Sequence, residues 1–106
     1  MAEETKFQLV ICIVNAGFSQ NVVEAARKAG ARGGTILRGR GSANPEAEEF
    51  FGVTIQPDKE LVIILVPEEI KDAVLQTVYA ESGLSQEGQG IAFSLPVDRT
   101  TTIRME

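Results

Sequence analysis

The 106-residue chain has no histidine and no tryptophan, one cysteine and one tyrosine, and aromatic residues make up only 6% of it. Each shortage excludes a class of chemistry. Without histidine there is no Ser-His or Cys-His pair, no imidazole general base and no imidazole metal ligand. The lone Cys12 forms no internal disulfide, which suits a reducing compartment and leads us to expect a cytoplasmic protein. It stands inside an apolar run with no activating neighbour, so it reads as core rather than nucleophile. No apolar run approaches the ~20 residues that cross a bilayer. The longest, residues 61–67, suits a buried strand, so a membrane-embedded chain is not expected. Residues 1–4 are acidic where a secretory signal would be basic. Positive charge is also scarce. Lys and Arg number 10 against 15 Asp and Glu, for a net charge of -5, which argues against general nucleic-acid binding. An RNA-binding sheet would further need exposed aromatics, and only Phe7 and Phe93 fall in expected strands.

What remains is an ordinary globular composition, 43% apolar and 24% charged. The length suits one domain over residues 1–106. Residues 7–14 (FQLVICIV) read as a β-branched, largely buried strand. Ser19 is a candidate N-cap for a helix over 19–29 with Val22, Val23, Ala26 and Ala29 on one face, and Gly30 stops it. A short strand over 35–37 leads into Gly39-Arg40-Gly41. The polar, acidic stretch 42–49 reads as a solvated loop, and Phe50-Phe51 is expected to tuck back onto the body. Residues 53–55 and 60–66 look extended, as one bent strand or as a hairpin. Pro67, Glu68 and Glu69 suit the start of a second helix carrying Ile70, Ala73, Val74, Thr77 and Val78 at helical spacing. Gly83 ends it. A turn rich in glycine and glutamine, 85–90, precedes a last strand over 91–97, and the tail 98–106 is expected to stay extended.

The order β-α-β-β-α-β is the ferredoxin-like pattern, an α+β fold with two helices on one face of an antiparallel sheet. The central strands LVICIV and LVIIL are apolar on both sides. The face away from the helices must therefore be covered, and oligomerisation is the simplest cover.

Fold alone does not give function; the loops say more. Residues 29–35 (AGARGGT) lead to Gly39-Arg40-Gly41 and a long loop. A strand over 60–67 runs into an acidic helix start. Ser82-Gly83, then Gly88-Gln89-Gly90, then FSLPVD and a terminal Ile103-Arg104 complete the set. In this order the segments resemble the P-II family of signalling proteins, over nearly the whole chain after Lys6. The resemblance implies a homotrimer that binds adenine nucleotides in clefts between subunits and acts on a partner through a protruding loop, here about residues 41–52. It implies a regulator rather than an enzyme. It also implies ligand-binding residues: Gly39 and Gly41 at the loop base, Ser82 and Gly83 beside the adenine, Gly88 and Gly90 with amides toward phosphate, and Arg104 on the phosphates. Glycines let backbone amides approach an anion, and guanidinium bonds phosphate in pairs. No catalytic or metal-binding residue is expected.

Three positions depart from the family pattern. Ile91 stands where it has a lysine, Thr102 where it has a second arginine, and Ala43 where it has a magnesium-holding glutamine. Two lost cations forgo charge-assisted bonds of roughly 1.5–3 kcal/mol each, so a less charged ligand such as AMP, ADP or a cyclic or adenosyl compound suits the site better than ATP. Arg38 and Arg40 face either a phosphate or the acidic Glu46, Glu48 and Glu49. Those glutamates favour a basic partner surface, such as the cytoplasmic face of a membrane transporter. The rival reading is a structural trimer whose ligand site has decayed.

Overall fold

The computed structural model describes residues 6–41, 49–50, 53–54, 58–84 and 90–101. Along them run β1 (Phe7–Asn15), α1 (Ser19–Lys28), β2 (Thr35–Arg40), β3 (Glu49–Phe50), β4 (Val53–Thr54) and β5 (Asp58–Pro67). A 3-10 turn (Glu68–Ile70), α2 (Lys71–Glu81) and β6 (Gly90–Val97) follow. Four strands make one antiparallel sheet in the order β2-β5-β1-β6, and β3 pairs with β4 in a separate small hairpin. This is the expected ferredoxin-like architecture with a hairpin added to its long connection.

Side-chain alternation divides the sheet into two faces. Val10, Cys12 and Val14 of β1 and Val62, Ile64 and Val66 of β5 are buried. They form one core cluster with Val22, Ala25 and Ala26 of α1 and Val74 and Val78 of α2, so both helices cover the same face. The other face stays open in the single chain. The strand register aligns Ile91, Ile13, Leu61 and Leu37 in one row across it, and Phe93, Ile11 and Ile63 in the next. A third row holds Leu95, Leu9 and Leu65. Leu37, Ile91, Phe93 and Leu95 are exposed. A continuous apolar surface of this kind is rare on a monomer.

Several element boundaries differ from the expectation, each through a tertiary contact. β2 continues through Gly39 to Arg40 because β5 begins early, at Asp58, and pairs with both. Val53 and Thr54 belong to no bent strand; they pair back on Glu49 and Phe50. Pro67 closes β5 in an extended conformation (φ -61°, ψ 145°), and the α-helix starts only at Lys71 after the 3-10 turn. Ser19 lies inside α1 and makes no side-chain cap bond; Phe18 holds the N-cap position. The N-terminal amides are met instead from β5. The loop 42–48, Phe51, the turn 85–89 and the tail beyond 101 lie outside the described residues.

Candidate ligand site at the loop end of the sheet

At one end of the sheet β1 and β2 finish while β5 and β6 begin. There the register sets Arg38, Glu60, Val14 and Gly90 in one row, and Gly39, Lys59 and Asn15 in the next. Alternation turns Glu60 toward α1 and Lys59 toward the open face. Glu60 Oε1 accepts hydrogen bonds from the Gly17 N–H at 3.0 Å and the Ser19 N–H at 3.4 Å. These bonds, the Gly17 amide first, hold the Glu60 carboxyl below its ordinary pKa, with Arg38 adding to the effect. The Ala16 N–H donates to the Asp58 carbonyl at 3.2 Å. The β1–α1 turn is thus stapled twice to the strand that leaves the long loop. Lys59 is buried, and its Nζ donates to Asn15 Oδ1 at 2.6 Å. Its stem crosses the space left by Gly41, where an added Cβ would sit 3.5 Å from Lys59 Cγ. Arg38, Gly39, Arg40, Lys59 and Glu60 line a cavity of about 450 Å³.

A second cavity of about 640 Å³ lies between α2 and β6, lined by Leu75, Tyr79, Leu84, Gly90 and Ile91. It is apolar and adjoins the connection that carries Ser82 and Gly83. The Ser82 hydroxyl is buried and donates to the Val78 carbonyl, which ties it to the end of α2. Gly83 (φ +88°) takes the left-handed conformation that ends the helix. Gly90 combines φ +149° with close packing: an added Cβ would lie 2.4 Å from the Ile13 carbonyl oxygen and 2.8 Å from Leu84 Cδ2. Gly39 and Gly41 differ. Neither has positive φ, and an added Cβ would meet only ordinary contacts at 3.5 Å or more. Backbone conformation accounts for Gly83, and conformation with close packing for Gly90; neither constraint falls on Gly39 and Gly41 among the described residues.

The family model for nitrogen regulatory protein P-II matches residues 7–106. The chain belongs to the P-II family. A search of the curated proteins finds no match. P-II proteins are regulators, and this chain carries their ferredoxin-like fold.

Within that P-II fold the expected ligand residues divide. Gly39 and Gly41 sit at the β2 edge, while Ser82, Gly83 and Gly90 sit by the β6 edge, separated by β5 and β1. Three strand spacings put Gly90 about 14 Å from Arg38. Gly88, Arg104, Thr102 and Ala43 lie outside the described residues. Ile91, where the family pattern has lysine, is 57% exposed and extends the apolar row of Ile13 and Leu61. Sequence reasoning missed Asn15, Lys59 and Glu60. Their one signal was polar residues at the mouths of two apolar strands, and only the register shows that Lys59 meets Asn15. Burial pushes the Cys12 thiol up to about 11, leaving about 10⁻⁴ of it ionised at pH 7. Among the described residues there is no cluster of metal-ligating side chains, and no helix is long and apolar enough to cross a membrane.

Proposed function

We propose that this P-II chain is a signalling subunit: a homotrimer that binds an adenine nucleotide at its subunit clefts and controls a partner protein through the loop 41–52. The observation that carries this reading is the division of the ligand residues between the two edges of one sheet, β2 and β6. A neighbouring copy meets a subunit at its edges and along its open apolar face, so a cleft between copies has residues of both kinds within reach. Gly39 and Gly41 support the same reading, because no packing need among the described residues explains them. ADP and AMP are the favoured ligands and ATP the less favoured, since Ile91 adds apolar surface where the family pattern adds charge.

The rival reading keeps the trimer and drops the ligand. It draws on Ser82, Gly83 and Gly90, which a helix-end hydrogen bond, a left-handed helix end and close packing explain in turn. Calorimetry with AMP, ADP and ATP, each with and without magnesium, separates the two. Saturable binding to the assembled protein supports the signalling reading, and heat of dilution alone for all three overturns it. Light scattering should give about three times the 11.4 kDa chain mass; a stable monomer would remove the cleft. The output is tested by deleting residues 42–49. The trimer should remain, while capture of the partner from membrane extracts, a transporter on the charge argument, should be lost. Retained capture would show that the loop is not the effector.

A further inference from the structure

We draw no further inference here: the strongest candidate, the apolar cavity of about 640 Å³ between α2 and β6, is lined by Leu75, Tyr79, Leu84 and Ile91 with no charged side chain among its walls, and nothing in the structure shows what covers it.

Discussion

Replacing Gly90 and Gly39 one at a time by alanine puts the sorting of the glycines to a direct test. At Gly90 the native φ of +149° lies in a region L-residues rarely adopt, at a strain of roughly 1–3 kcal/mol. The new Cβ would lie 2.4 Å from the Ile13 carbonyl oxygen. That oxygen belongs to β1, held between β5 and β6, so it cannot retreat without disturbing both ladders. Leu84 Cδ2, 2.8 Å away, is also buried, and overpacking of this sort costs about 1–3 kcal/mol more. The sum, about 2–6 kcal/mol, is a large part of the ~5–15 kcal/mol that stabilises a small domain. At about 4–8 °C per kcal/mol, Tm should fall by at least ~8 °C. At Gly39 the new Cβ would meet Leu61 Cδ1 at 3.7 Å, an ordinary contact. The expected change is within about 0.5 kcal/mol. Circular dichroism melts at one fixed protein concentration decide it, since association shifts the apparent stability. A Gly90→Ala variant that melts with wild type, or a Gly39→Ala variant that falls as far, would refute the reasoning. A further consequence concerns ligand assays. Lost binding in a Gly90 variant would report damage to the sheet, whereas lost binding in Gly39→Ala would report the site.

Glu60→Ala should lower Tm at pH 7 by freeing the Gly17 and Ser19 amides. The native Glu60 pKa is lowered, so its stabilisation is complete above the ordinary value of ~4.3 and is lost as pH falls through the lower native value. The gap between wild type and variant should therefore close from about pH 4 downward; a constant gap to pH 2 would refute the cap. Cys12 should resist a thiol reagent at pH 8 in the native protein and react only as the chain unfolds, given its burial and a pKa near 11; prompt reaction would show that β1 opens. Phe93→Lys puts a charge in the middle row of the open face. It should shift light scattering toward the monomer mass while retaining the helical circular dichroism signal. An unchanged assembly would place the subunit contacts elsewhere.

Much of the fold was legible because β1 and β5 carry unbroken apolar runs and α1 and α2 carry spaced ones, between glycines that stop them. Local pattern failed where a distant residue made the decision. Gly39 looked like punctuation, yet pairing with Lys59 keeps it in β2. Ser19 looked like a cap, but a carboxylate 41 positions away in sequence serves its amide. Pro67 suited a first helical turn, and its extended backbone instead completes the pairing of β5 with Phe7. The glycine-rich motifs were legible as motifs but not as roles. A glycine hemmed in by packing and a glycine with open space beside it look alike in a sequence; only the distance a Cβ would reach tells them apart.

The two strands that flank the long loop differ in how they are held. The strand leaving the loop, β5, starts with Asp58, Lys59 and Glu60, and each is tied to the β1–α1 region: the Asp58 carbonyl to Ala16, Lys59 to Asn15, Glu60 to Gly17 and Ser19. Among the described residues the strand entering the loop, β2, has no comparable ties at its end. Beyond its ladder with β5 it carries Gly39 and two exposed arginines on an edge of the sheet. The two strands are therefore held unequally. Displacing the start of β5 breaks its bonds to Asn15, Ala16, Gly17 and Ser19 as well as two ladders, whereas displacing the end of β2 breaks one ladder only. Any local opening at this end of the sheet should start at β2, where the fewest contacts are lost.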